Sequence, residues 1–161
     1  MITRLISATS LMLILAGGAM AQCAGVSRAR AVSHASSPVF LPPGDVKWTD
    51  LDPVRAPGIR IADLWGDHAK GAYGAFLKFP AGFLAPLHTH TYDIRAVILS
   101  GTYVQTPDGK AQERLGPGSY MLQPGGAYRH VSGCDAASDC VLFIESEGPF
   151  DLLVVEAPKP K

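Results

Sequence analysis

Short apolar stretches recur along most of this chain and are separated by Gly, Pro and Asp. From about residue 38 they follow one another roughly every 8 to 12 residues, the spacing of short strands joined by turns. Within residues 73–79, Tyr73 and every second residue after it are apolar, whereas Lys78 falls on the opposite face. Apart from the N-terminal apolar segment, no helical period of useful length is present. The pattern predicts an all-β sandwich or barrel.

The turn residues divide this region into a series of predicted strands. The predicted strands are 39–41, 46–49, 58–64, 73–79, 86–90, 94–105, 111–115, 119–122, 127–131, 140–146 and 150–155.

The first 21 residues have the layout of a secretory signal peptide. Arg4 is the only early charge, an apolar run spans 11–15, and Ala19-Met20-Ala21 is a small-x-small cleavage pattern. We expect cleavage near Ala21 and a periplasmic or secreted protein. No membrane anchor is expected, because the apolar run is too short to span a bilayer. Residues 22–37 are predicted to be a flexible segment, and residues 38–158 a single barrel domain.

Charge and motif content exclude several classes of function. The chain has 14 basic and 14 acidic residues, with no basic stripe, so no nucleic-acid partner is expected. It contains no Ser-His-Asp nucleophile pattern, no phosphate-binding loop and no dinucleotide fingerprint. Any chemistry is therefore expected to come from a bound metal.

Two of the three cysteines are separated by a short polar loop. Cys134 and Cys140 flank residues 135–139. Since an exported protein folds in an oxidising compartment, we expect them to form a disulfide that holds this loop.

Two histidines two positions apart are the strongest sign of a functional site. His88 and His90 are separated by Thr89, and side chains two apart on a strand point the same way. A third histidine, His130, follows a Pro-Gly-Gly turn later in the chain. Three imidazoles suit a divalent transition metal such as Fe, Zn, Mn or Ni, with remaining positions open to a ligand.

The glycines around these histidines resemble the two sequence motifs of the cupin superfamily. Gly82, the His88-Thr89-His90 segment and Gly101 match the first motif, and Gly118 begins the second. Further segments carry the resemblance, namely 64–67, 79–83, 97–101 and 115–124. Over residues 46–155 the chain is similar to small bacterial cupins of undefined function related to the ChrR-type cupins. The resemblance implies an all-β cupin-type double-stranded β-helix, or jelly-roll barrel, in which the strand of His130 lies beside that of His88.

The chain departs from the cupin pattern at two positions. Ile94 occupies the slot of the usual glutamate ligand, and His130 comes one residue late in the second motif. A one-residue shift would point a strand side chain the other way, so His130 requires a longer turn or a bulge. Asp93 either replaces the missing acid as a metal ligand or faces outward, where it would pair with an arginine, cap the turn or orient a histidine.

A polar or aromatic group that reaches the barrel interior would contact a small-molecule ligand. Our candidates for this substrate pocket are Tyr92, Arg129, Tyr103 and Tyr120, with Tyr92 first because it lies beside the histidines. His68 lies in a polar turn, and we expect it to have no special role unless it lines an entrance.

Three functional hypotheses follow from this pattern. The first is an exported mononuclear metal-binding cupin that acts as an oxygenase on a small carbonyl-bearing or phenolic molecule. The alternative is a non-catalytic cupin that binds or senses a metal or small ligand, and the third is a structural domain whose histidines bind no metal. The cupin resemblance also allows a homodimer, with residues 39–41 as an edge.

Overall fold

The computed structural model describes residues 37–156. The predicted signal peptide and all but the last residue of the predicted flexible segment lie outside this range. Within residues 37–156, no helix is long and apolar enough to cross a membrane.

The described chain forms eleven strands and one short 3₁₀ helix, Pro43–Asp45. The strands are β1 (Thr49–Asp52), β2 (Ala56–Gly66), β3 (Tyr73–Phe79), β4 (His88–Thr89), β5 (Ile94–Ser100), β6 (Tyr103–Pro107), β7 (Glu113–Leu115), β8 (Tyr120–Gln123), β9 (His130–Cys134), β10 (Cys140–Ser146) and β11 (Leu153–Val154). The all-β prediction is confirmed. The strand predicted at 39–41 is wrong, because those residues are exposed and pair with no other strand.

The strands pair into two antiparallel sheets. A six-stranded sheet has the order β1-β2-β3-β10-β5-β8, and a five-stranded sheet has the order β11-β4-β9-β6-β7. Neighbours in each sheet are often distant in sequence, as when β3 pairs with β10 and β4 pairs with β9. This arrangement agrees with the jelly-roll prediction.

The hydrophobic core lies mainly on the inner face of the six-stranded sheet. In β10, Cys140, Leu142 and Ile144 are buried, and the residues between them are partly exposed. From Ala75 onward the β3 strand alternates in the same way, and it pairs with β10 in continuous register. Period-two burial of this kind is expected where one face of a sheet covers the core.

A glycine turn divides what the sequence pattern presented as one long strand. The predicted strand 94–105 is wrong in extent: β5 ends at Ser100, and β6 begins at Tyr103 in the other sheet. Gly101 between them has φ +74°, and a Cβ there would lie 2.4 Å from the carbonyl oxygen of Asp139. Only glycine fits this position, so the chain changes sheet there.

A disulfide links the two sheets. Cys134 ends β9 and Cys140 begins β10, and their sulfur atoms are bonded, as the cysteine spacing predicted. The intervening loop is also held by ion pairs from Asp135 to Arg114 at 2.8 Å and from Asp139 to Lys78 at 3.0 Å. The bond and the ion pairs hold this end of the barrel.

Candidate metal centre

Three buried histidines come together on the five-stranded sheet. His88 lies in β4, His90 follows that strand directly, and His130 begins β9. Their exposed fractions are 1%, 5% and 0%. The half-exposed Thr89 between the first two points away, as alternation along a strand requires.

The pairing of β4 with β9 brings His130 to the other two. His88 and His130 are direct partners in the antiparallel register. The ring centroids are 4.2 Å apart for His88 and His130, 4.8 Å for His88 and His90, and 5.4 Å for His90 and His130. One ring nitrogen from each histidine lies within 4.8 Å of the others. The three could therefore bind a single metal ion.

The longer turn that His130 needs is present before β9. Gly126 has φ +74°, and its N–H donates to the carbonyl oxygen of His90 at 2.8 Å. Gly125 packs so closely that a Cβ would lie 2.5 Å from the carbonyl oxygen of Thr91. The strand then begins only at His130, which is why the one-residue delay still places this side chain inside.

Each histidine of the triad has one ring nitrogen bound to a backbone carbonyl. The Nδ1 of His88 donates to Pro86 at 2.6 Å, that of His130 to Tyr128 at 3.3 Å, and that of His90 to Asp151. Because a carbonyl oxygen only accepts, each Nδ1 carries the hydrogen and each Nε2 keeps its lone pair. The Nε2 of buried His130 has no hydrogen-bond partner. This is the tautomer and the orientation that a metal-binding imidazole needs.

Burial keeps the three imidazoles neutral. Desolvation lowers the pKa of His90 and of His130 to about 4, and it also lowers the pKa of His88. The nearby imidazoles add to the decrease for His90 and His130. At neutral pH the ring nitrogens are therefore free to act as metal ligands.

A cavity of about 820 Å³ lies beside the histidines. His88 and His90 line it, and most of its remaining surface is apolar. The apolar side chains come mainly from the six-stranded sheet and include Ile59, Leu77, Phe79, Ile94, Leu142 and Ile144. The size is that of a pocket for a small organic molecule.

The structure decides between the two roles considered for Asp93. Its side chain is exposed, and its carboxylate accepts a hydrogen bond from the N–H of Gly125 at 2.8 Å. It caps the turn before β9 and does not join the triad. Asp93 faces outward, whereas the next residue, Ile94, points into the cavity. The role of Asp93 as a metal ligand is thus not supported.

Of the four predicted pocket residues, only Tyr103 lines the cavity. Tyr120 lies on the outer face of edge strand β8 and is 61% exposed. Arg129 is exposed and forms an ion pair with Asp108 at 3.1 Å. Placing these two in the pocket was wrong, because both face outward.

The same correction applies to Tyr92, the first choice for ligand contact. It lies in a turn after the histidines rather than in a strand, so strand alternation does not apply to it. Its ring packs against Gly148, where a Cβ would lie 2.4 Å from the ring. It does not line the cavity.

Sequence reasoning missed two features of the cavity. The segment 150–154 lines it, and the carbonyl oxygen of Asp151 holds His90. His68 also lines it and forms a pair with Asp63. The sequence indicated at most that His68, in a polar turn, would line an entrance, and nothing in it paired His68 with Asp63 on the preceding strand.

Comparison with known proteins relates this chain to one sequence family and to one fold. The family described as a domain of unknown function, DUF4437, matches residues 28–157. No curated protein matches the sequence.

Solved structures with a similar fold include an RmlC-like cupin, a polyketide cyclase and a chain of an anti-sigma complex. An RmlC-like cupin from Ralstonia eutropha is 21% identical with a TM-score of 0.58, and the match covers 73% of each chain. The polyketide cyclase RemF from Streptomyces resistomycificus is 21% identical with a TM-score of 0.58, covering 76% of this chain and 89% of that one. A chain from the complex of Rhodobacter sphaeroides SigE with the anti-sigma ChrR is 22% identical with a TM-score of 0.50, covering 66% and 52%.

At these identities the structural matches establish the fold alone. They agree with the all-β architecture of two antiparallel sheets. The fold is that of the solved cupin structures, and because the family match extends over most of the sequence, this protein belongs to the DUF4437 family.

Proposed function

We propose that this protein is an exported mononuclear metal-binding cupin in which His88, His90 and His130 hold one divalent transition-metal ion. The observation that carries the proposal is the buried Nε2 of His130, which has no partner although its ring is oriented by a carbonyl. An unsatisfied buried polar atom costs free energy, and a metal ion would satisfy it. Imidazole suits iron, zinc, manganese and nickel, so these donors fit each of the four.

The residues around the triad define the properties of such a site. A bound ion would supply a Lewis acid and, for a redox-active metal, an electron carrier. The chain keeps the three imidazoles neutral and oriented, and it places a mostly apolar cavity beside them. Ile94 stands where a carboxylate would reduce the charge of the site. A ligand with a negatively charged or chelating oxygen is therefore favoured.

The cavity supports a small molecule with an apolar body as that ligand. One wall is apolar, and the opposite side presents His88, His90 and Ser132. A carbonyl-bearing or phenolic molecule would place its oxygen near the histidines and its body against Leu142 and Ile144. We propose oxygenation of such a molecule as the reaction. Structural neighbours include both a polyketide cyclase and an anti-sigma complex, so turnover has to be tested separately from binding.

The first experiment measures metal content. Protein purified from metal-replete cells is expected to hold about one equivalent of a transition metal, and the His88→Ala/His90→Ala double variant less than about 0.1 equivalent. Asp93→Asn is the matched control, because Asp93 adjoins the site but contacts Gly125 instead. Full metal content in the double variant, measured by mass spectrometry, would contradict the proposal.

The second experiment separates catalysis from binding. Protein loaded with iron(II) is mixed with phenolic and 1,3-diketone compounds in an oxygen electrode. Oxygen uptake that needs both the compound and the histidines is the expected result. Tight binding of a compound without oxygen uptake would instead establish the non-catalytic role.

Export is the remaining part of the proposal. The Cys134–Cys140 disulfide supports it, because such bonds persist in oxidising compartments. Mass spectrometry of the mature protein is expected to find its N-terminus at Gln22. A cytoplasmic protein that retains residues 1–21 would contradict export without affecting the metal site.

A further inference from the structure

A histidine outside the triad lines the same cavity as His88 and His90. His68 lies in the turn between β2 and β3, and its side chain is 21% exposed. It is therefore open to a ligand in the cavity and still partly in contact with solvent.

The ring of His68 is fixed by a carboxylate. Its Nδ1 lies 2.9 Å and 3.1 Å from the two carboxylate oxygens of Asp63 on β2. Since an ionised carboxylate only accepts, Nδ1 carries the hydrogen and Nε2 keeps a lone pair. The carbonyl oxygen of His68 accepts from the N–H of Phe150 at 2.7 Å, and its ring meets that of Tyr73 edge-on. Both the backbone and the ring are thus held in place.

The other titratable groups that line the cavity already have partners or stay protonated. Asp52 and Arg55 pair with each other, with their nearest charged atoms 3.8 Å apart. The carboxylate of Asp151 accepts two hydrogen bonds from Thr91. Burial raises the pKa of Tyr103 to about 12, so it does not ionise near neutral pH. Outside the metal centre, His68 is the cavity group left to exchange a proton.

The cluster around His68 is better suited to proton exchange than to metal binding. Asp67 lies close enough to share an ion with His68 and Asp63. However, its carboxylate is bound to Lys70 at 2.6 Å and accepts the N–H of Ala69 at 3.0 Å. Each carboxylate therefore already has a cationic or N–H partner, and the imidazole keeps one free nitrogen.

We propose that His68 is the acid–base residue of this cavity, accepting the proton of a phenolic or enolic O–H group of the bound ligand. The inference rests on the proposed function, which supplies that ligand class. The O–H bond breaks, an Nε2–H bond forms, and the electron pair stays on the ligand oxygen. Asp63 is a positioning residue whose charge offsets that of the imidazolium. The reverse step returns the proton to the ligand, or the exposed ring edge passes it to water.

The test uses a phenol that reports its own ionisation. The probe 4-nitrophenol absorbs visible light as the phenolate but not as the phenol. Its methyl ether, 4-nitroanisole, has the same body and no acidic hydrogen. Metal-free protein is used at a pH where the free probe is mostly protonated, so a bound metal cannot cause the ionisation. Wild-type protein is expected to bind the probe as phenolate, with nitrogen NMR showing a second proton on one histidine ring.

Variants then identify the residue that takes the proton. His68→Gln is expected to reduce the bound phenolate by about tenfold and to leave the affinity for 4-nitroanisole unchanged. Asp63→Asn should reduce the bound phenolate by less than His68→Gln does, and Asp63→Glu should retain most of the wild-type phenolate. Asp67→Asn is the matched control and should lose clearly less phenolate than Asp63→Asn, because Asp67 bonds to Lys70 and not to the His68 ring. A purely structural role for the pair would change the binding of both probes together.

Other outcomes overturn the proposal. Wild-type phenolate levels in His68→Gln would do so, as would wild-type protein that binds the probe only as the phenol or binds neither probe. Zinc titration of the same preparations keeps the two proposals distinct. Zinc bound by the triad with no proton transfer to His68 would refute this inference alone. Proton transfer without zinc binding would refute the metal site alone.

Discussion

The two sheets that line the cavity differ in the chemistry they present to it. The six-stranded sheet presents apolar side chains, among them Leu142 and Ile144, whereas the five-stranded sheet presents His88, Tyr103 and Ser132. Most of the buried core belongs to the first sheet. We infer that one sheet mainly stabilises the fold and the other mainly carries the function.

The difference follows from what burial requires of each side chain. An apolar group gains free energy simply by leaving water. A buried imidazole loses its hydration and needs hydrogen-bond partners at both nitrogens. In the triad only Nδ1 has such a partner within the fold, as shown by His130, whose Nε2 is unsatisfied. The histidine wall, formed by His88, His90 and His130, therefore has all of its buried polar atoms satisfied only when a ligand is bound. The apolar wall of the six-stranded sheet needs no ligand.

The largest expected effect is the response of the histidine wall to acid. In metal-free protein the folded-state pKa of His90 and His130 is about 4, below the usual 6.5, and that of His88 is also lowered. As the pH falls below 6.5, the unfolded chain takes up protons that the folded chain refuses until about pH 4. Each histidine then reduces the free energy of unfolding by up to about 1.4 kcal/mol per pH unit.

Urea unfolding at several pH values measures this loss in the metal-free protein. His130→Gln should lose less stability across the same range, because one buried imidazole is gone. A midpoint that stays constant from pH 6.5 to pH 4 would show that burial does not depress these pKa values.

The apolar wall should respond next most strongly, and only in stability. Leu142 is 1% exposed and lines the cavity. Leu142→Ala is expected to lower the free energy of unfolding by about 2 to 5 kcal/mol while leaving metal content per folded molecule unchanged. Val141→Ala, on the opposite face of the same strand, should cost clearly less. Loss of metal from folded Leu142→Ala protein would show that the two walls are not separate in function.

The bond that joins the two sheets should have a smaller effect. Replacing Cys134 and Cys140 together by serine removes the covalent link between β9 and β10. The expected loss is about 2 to 3 kcal/mol in unfolding free energy, because the unfolded chain gains freedom. Thermal unfolding with and without dithiothreitol measures it, and the reductant should affect the wild type only. If the variant and the wild type were equally stable, the ion pairs rather than the disulfide would be what holds the loop in place.

The smallest effect is expected where segment 150–154 supports the histidine wall. The Asp151 carboxylate accepts from the N–H of Thr91 at 2.9 Å and from its hydroxyl, and the Asp151 carbonyl holds His90. Asp151→Ala is expected to weaken zinc affinity by about tenfold, since groups that orient metal ligands have effects of this size. Competition with a chelator measures the affinity. Thr91→Val tests the same contact from its other side, and unchanged affinity in both variants would exclude this positioning role.

Much of the strand pattern was predictable because it is local. Alternating burial in β3 and β10 follows from residues two apart, and the shared side of His88 and His90 follows from the same rule. The boundary between β5 and β6 was missed because apolar residues continue on both sides of Gly101. Nothing in that hydrophobic pattern shows that the chain changes sheet there.

The environment of the site was less predictable because it depends on contacts between distant segments. Tyr92, Tyr120 and Arg129 were reasonable pocket candidates by residue type, but turns and edge strands direct them outward. Ile94 and Asp93 could not be assigned until the turn containing Gly125 was placed beside them.

By itself the sequence determined the all-β class, the inward-facing histidine pair, the cysteine pair and the cupin resemblance. Each of these is encoded in short-range periodicity or motif spacing, which acts through local backbone geometry. Only the tertiary structure decided that His130 completes the triad despite its late position, that Asp93 stays outside, and that His68 shares the cavity. Those outcomes depend on the register between strands far apart in the chain, which no local pattern encodes.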